Sequence, residues 1–191
     1  MNAETGNAQT GNAQTGNAQT GNVDTGNADQ AAEILAGSGD EPVYAVVGFD
    51  GTAPALRALD AAVRLLTGRS GGLEIVYVTP FPVVAADLRG SATEEVIESQ
   101  EVATRDLSDE VRAHLQSASL TGAAQNWSFQ RRDGGAAEQL ITAADELSQE
   151  HGHQARIVIV VGRPEHRIRH PAGSVPHALE RHDGYPVIVV P

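Results

Sequence analysis

Cysteine is absent from this 191-residue chain, and so is lysine: all thirteen basic residues are arginine. The first absence excludes disulfides and thiolate metal or redox chemistry. The second excludes any mechanism that needs a lysine amine, from a Schiff base to the lysine of a phosphate loop. Aromatic residues are scarce, with one Trp, three Tyr and three Phe, so a core must come from aliphatic side chains. No run reaches the roughly 18 to 20 apolar residues of a membrane span, and no membrane association is expected. The residues after Met1 are polar, without the basic start and apolar stretch of a secretory signal. The expected location is therefore cytoplasmic. Positive charge is also lacking. The formal net charge is −12. Residues 1–41 carry six acids and no arginine, and residues 42–191 carry nineteen acids against thirteen arginines. Neither part has the clustered positive charge that nucleic-acid phosphates need, so no nucleic-acid partner is expected.

What is present divides near residue 41. Residues 5–29 repeat with a period of five, Thr-Gly-Asn-Ala-Gln three times and then Thr-Gly-Asn-Val-Asp and Thr-Gly-Asn-Ala-Asp. A stacked β-helix needs a large apolar side chain in every coil, and this repeat offers Ala or Val. Such a segment cannot offset its ordering entropy, so residues 1–41 are expected to be a disordered low-complexity tail.

Residues 42–191 carry regular periods. Val43–Phe49 is a nearly unbroken apolar run, as in a strand covered on both faces. Thr52 can cap the helix that follows, Pro54 suits its first turn, and Leu56, Leu59, Val63 and Leu66 keep helical spacing. Leu73–Val78 is a second apolar strand, and a long helix is expected over about Thr93–Gln116. Asn126–Arg131 alternates, with Trp127 and Phe129 on one side, which predicts an edge strand. A helix from Ala136 to about Gln149 presents Leu140, Ile141, Ala144 and Leu147. Ile157–Val161 is the most apolar strand. Ser174 caps a short helix, and Val187–Val190 is the last strand. Strand and helix alternate throughout, which means a doubly wound parallel sheet with ligands at the carboxyl ends of its strands.

Three segments carry a family resemblance. Val46-Val47-Gly48-Phe49-Asp50-Gly51-Thr52 before a helix resembles the opening of universal stress proteins. Asp133-Gly134-Gly135-Ala136-Ala137-Glu138 resembles the turn before their third helix. Ile159-Val160-Val161-Gly162, then Gly173-Ser174-Val175, then Tyr185-Pro186-Val187-Ile188-Val189-Val190 resembles their end. The resemblance covers about residues 42–191. It implies an adenine nucleotide alpha hydrolase-like, five-stranded parallel sheet of order 3-2-1-4-5. It also implies a homodimer formed through the last strand, Val187, Ile188, Val189 and Val190. An apolar edge of that kind invites association on physical grounds as well.

Members of the family that bind ATP carry a loop of pattern Gly-x2-Gly-x9-Gly-Ser/Thr. This chain keeps Gly162 and Gly173-Ser174, but Glu165 stands where the second Gly belongs, and the loop is two residues short. Pro164 and Pro171 remove two donors, while Arg163, Arg167 and Arg169 make the loop locally basic. The resemblance places Asp50 near the adenine and ribose of an ATP-like nucleotide, Gly162, Gly173 and Ser174 at the phosphates, and Val78 and Thr79 at the base. Gly51, Thr52, Arg163, Arg167 and Val175 are further candidate nucleotide-binding residues.

Other chemistries find no pattern. His166 and His170 lie in a loop beside Pro171, and no spacing completes a metal site. Asp50 has neither the acidic cluster nor the lysine of a phosphoacceptor domain. Ser174 lacks the second Gly of a nucleophile elbow. The expected function is a regulatory or protective module in stress response that works by binding and not by catalysis. The alternatives are a nucleotide-independent interaction module of the same fold, or a weak ATP hydrolase.

Overall fold

The computed structural model describes residues 41–79, 91–118, 120–152, 155–164 and 174–191, with side chains in the long helix from Glu98 onward. The repetitive segment, Arg167 and Gly173 lie outside the described residues.

The first strand, β1 (Val43–Gly48), runs into helix α1 (Ala53–Leu66). Thr52 caps α1 by accepting the Ala55 N–H at 3.4 Å, and Pro54 sits in the first turn, where its missing donor has no helical partner to lose. Leu59 and Leu66 are fully buried, and Ala55, Ala58 and Ala62 are buried beside them. Leu56 and Val63 pack against this core and are partly buried. Small residues on this face let the helix axis approach the sheet closely.

Strand β2 (Gly71–Thr79) and the long helix α2 (Ser91–Ser117) follow. Helix α2 buries Val111 and Leu115, and its His114 Nε2 meets Asp60 Oδ1 of α1 at 2.7 Å. A 3₁₀ turn (Gly122–Gln125) leads to β3 (Trp127–Asp133), then α3 (Ala136–His151), β4 (Arg156–Gly162), α4 (Val175–Leu179) and β5 (Val187–Val190).

All strand pairs are parallel, and the sheet order is β3-β2-β1-β4-β5. The fold class, the strand order and the edge position of the Trp127 strand are those expected from the sequence. Alternation along each strand separates two cores. Ala45, Val47, Ile75, Val158 and Val160 face α1 and α2. Val46, Val76, Ile159 and Val161 face α3 and α4, with Leu140, Ala144 and Leu147. Each fully buried Leu or Ile contributes about 1.5 to 3 kcal/mol from burial.

Two features matter beyond the core. Strand order reverses between β1 and β4, so the connections leaving their carboxyl ends run to opposite faces of the sheet and leave a crevice. Strand β5 pairs with β4 on one side only. The carbonyls of Pro186 and Val190 accept from Ile159 and Arg163 of the β4 segment. By alternation, the backbone groups of Val187 and Val189 point to the free edge.

Candidate functional site

The crevice between β1 and β4 is a cleft of about 450 Å³. Its floor is apolar: Val76 and Val78 from β2, Val161 from β4 and Leu140 from α3. The three valines lie on one face of the sheet, which is why alternation delivers them together, and Leu140 packs over that face from α3. The rim is formed by Phe49, Asp50 and Thr52 after β1, the first turn of α1, and Gly162 and Pro164 after β4. Ala136 of α3 and Val175 and Pro176 of α4 complete it.

Asp50 stands exposed at this rim. Its Oδ1 accepts the Thr52 N–H at 3.1 Å and the Thr52 hydroxyl at 2.6 Å. This local turn fixes the carboxylate and leaves its Oδ2 without a partner among the described residues. Gly51 sits at φ +77°, and a Cβ there would lie 2.6 Å from Leu107 of α2. The left-handed backbone favours glycine at this position, and Gly51 itself does not line the cleft.

Gly162 lines the cleft, but it also touches α1. A Cβ on it would lie 2.4 Å from the carbonyl carbon and oxygen of Pro54. Glycine at this position allows the end of β4 to meet the first turn of α1. The Arg163 N–H is taken by Val190 O at 2.7 Å, and Arg163 is not among the lining residues. Ser174 caps α4 by accepting the His177 N–H at 3.4 Å.

Val78 and Thr79 separate. Val78 lines the cleft, whereas Thr79 is turned to the other face, because neighbouring residues of a strand point to opposite sides. The Thr79 hydroxyl donates to Asp133 Oδ1, and Arg131 Nε donates to the Thr79 hydroxyl at 3.3 Å. Arg131 also reaches Asp133 at 2.8 Å and Gln100 of α2 at 2.9 Å. The Thr79 hydrogen bond, with Arg131 next, holds the Asp133 carboxyl below its ordinary range. This knot ties β2 and β3 to α2 and takes no part in the cleft.

A second polar cluster lies under α3, unforeseen from the sequence. Glu74, within the apolar run of β2, is buried beneath Arg132 at 3.4 Å. Arg132 also bonds Glu146 of α3 at 3.0 Å and Gln130 at 2.9 Å, and its Nε has no partner among the described residues. Burial pushes the Glu74 carboxyl up, against the opposing pull of Arg132. The Arg132 hydrogen bond pulls the exposed Glu146 carboxyl down. The sequence signal for it was a charged residue at an inward-facing position of β2.

Among the described residues, no group of three or more His, Cys, Asp or Glu side chains could hold a metal ion. No helix among them is long and apolar enough to cross a membrane.

A parallel five-stranded sheet of this order, with a cleft at its reversal point, defines a doubly wound α/β domain. More closely, the chain belongs to the universal stress protein family, whose profile matches residues 45–191. Solved structures agree. Universal stress protein UspA from Lactobacillus plantarum is similar at 18% identity and a TM-score of 0.58, covering 79% of this chain and 99% of its own. A universal stress protein from Burkholderia pseudomallei is similar at 26% identity and a TM-score of 0.52, covering 78% of this chain and 95% of its own. A universal stress protein solved in complex with cAMP is similar at 23% identity and a TM-score of 0.50, covering 79% of this chain and 98% of its own. No curated protein matches.

Proposed function

We propose that this universal stress protein domain is a regulatory or protective module that binds an adenine nucleotide in the cleft between β1 and β4. The observation that carries the reading is the cleft itself: an apolar floor of Val76, Val78, Val161 and Leu140 beside the fixed carboxylate of Asp50. The floor suits the flat face of a base. In this reading Asp50 Oδ2 accepts from a ribose hydroxyl or an exocyclic amine. The similar universal stress protein in complex with cAMP lends support to a nucleotide as the ligand class. The Thr52 hydroxyl at the cleft, like that of Ser174 before α4, serves as a helix cap, which favours a binding role over nucleophilic chemistry. The free, half-buried apolar edge of β5 supports association of two copies through Val187 and Val189.

The test is calorimetric titration with ATP, AMP and cAMP, repeated after Ala53→Trp, which places an indole at the cleft mouth from an exposed helix position. Saturable binding that disappears in a variant melting like the parent supports the reading. Absence of saturable heat with all three ligands removes it and leaves a nucleotide-independent interaction module.

A further inference from the structure

Glycine follows aspartate at three described places in this chain: Asp50-Gly51, Asp133-Gly134 and Asp183-Gly184. Such a pair can close on itself. The glycine nitrogen attacks the aspartate Cγ, since glycine has no side chain to obstruct the approach. The N–Cγ bond forms, a C–O bond of the protonated carboxyl breaks, and water leaves with the amide hydrogen. Water then opens the resulting succinimide at either carbonyl, giving aspartate or isoaspartate. All three aspartates are exposed, so exposure does not choose among them. The state of each nitrogen and each carboxyl does.

Two of the pairs have an engaged nitrogen. The Gly134 N–H donates to Thr79 O at 2.8 Å, and the Gly184 N–H donates to His182 Nδ1 at 3.2 Å. Each must break that bond before its nitrogen can attack. The hydrogen bonds from Thr79 and Arg131 also keep the Asp133 carboxyl below its ordinary range, ionised and a poor electrophile. At Asp50 the side chain is folded forward over the peptide that follows it. Its Oδ1 accepts the Thr52 N–H at 3.1 Å and the Thr52 hydroxyl at 2.6 Å. That fold brings Cγ toward the Gly51 nitrogen, and the two donors polarise the carboxyl under attack. No described residue takes the Gly51 N–H. We infer that Asp50-Gly51 is a site of spontaneous isoaspartate formation in the folded protein, preferred over Asp133-Gly134 and Asp183-Gly184. The product has one more backbone atom at the rim of the cleft and a carboxylate on a side chain one atom shorter, so the modification reshapes that rim.

The experiment ages the full chain, folded and without nucleotide, near neutral pH at physiological temperature. A parallel sample is aged in urea. Both are digested, and isoaspartate at each pair is quantified by fragmentation mass spectrometry. No ligand is present, so the outcome is independent of nucleotide binding. In the folded protein Asp50 should accumulate isoaspartate roughly fivefold to tenfold faster than Asp133 or Asp183, the cost of first opening one hydrogen bond. In urea the three rates should converge. Asp133 or Asp183 reacting as fast as Asp50 in the folded state overturns the inference, and so does reaction of Asp50 in urea alone. His182→Phe tests the cause: it keeps a ring against Tyr185 and removes the acceptor of the Gly184 N–H. The variant should raise the Asp183 rate by roughly the same factor. An unchanged Asp183 rate in the folded variant shows that hydrogen-bonded nitrogens do not decide the site, and overturns the inference.

Discussion

Gly162 separates a packing role from a ligand role, and Gly162→Ala measures which one dominates in the unliganded protein. A Cβ at this position would lie 2.4 Å from both the carbonyl carbon and oxygen of Pro54, and 2.7 Å from the Pro54 Cβ. Real Cβ contacts essentially never fall under 3.0 Å, so β4 and the first turn of α1 must part by about 0.6 Å, and overpacking of this kind costs about 1 to 3 kcal/mol. The obstacle is backbone, which cannot swing aside as a long side chain does. Gly162 does not have the left-handed backbone that would add strain. Replacing glycine therefore returns about 0.4 to 1 kcal/mol by restricting the unfolded chain. The net expectation is a loss of about 1 to 2 kcal/mol. Urea denaturation without nucleotide, followed by circular dichroism, should show a lower midpoint at unchanged slope. If the glycine existed only to let a ligand approach, the ligand-free variant would be as stable as the parent. A midpoint equal to or above the parent's refutes the packing argument.

Two further outcomes follow from the polar cluster and the free edge. The Glu74 carboxyl is raised above its ordinary value of 4.5 by burial, so the folded state holds a proton that the unfolded state has already lost, and stability falls as pH rises through that window. Glu74→Gln should abolish this part of the slope. The measurement is the difference between parent and variant stabilities from pH 4.5 upward, in which Glu146 and Asp133 cancel because their lowered values act at lower pH; parallel curves defeat the assignment. At the other edge, Val189→Pro removes an N–H that points away from β4, leaving the β4–β5 ladder intact. Sedimentation velocity should show the variant shifted toward monomer, and an undisturbed dimer locates the interface elsewhere.

Much of the fold was legible because its periods are local. Apolar runs such as Ile157–Val161 and the alternation of Trp127 and Phe129 each report how many faces of a strand are covered. Thr52 with Pro54, and Ser174 with Pro176, marked two helix starts correctly, since capping depends on residues three apart. The buried face of α1 was read less well. Leu56, Leu59, Val63 and Leu66 keep helical spacing, yet only Leu59 and Leu66 of these are fully buried, and Ala58 and Ala62 are buried with them, because which small residues meet the sheet is set by tertiary packing that no window of sequence contains.

The cleft shows where local reading stops and where it could have gone further. Val78 and Thr79 were placed together at the base, yet strand alternation alone forbids both from facing one cleft, so this separation was available in the sequence. The meeting of Pro54, Pro164 and Pro176 was not available. Each has a sufficient local explanation, as a first-turn residue or a loop stiffener, and only the order β2-β1-β4 brings the three to one rim. The same holds for Gly162, whose contact with Pro54 joins residues more than a hundred positions apart. A site of this fold is thus written in two layers. Strand ends supply its position through a short-range pattern, and the topology decides which of their neighbours become its walls. In this chain the second layer brings Pro54, Pro164 and Pro176 to one rim, so the shape of that rim follows from the topology and not from any single motif.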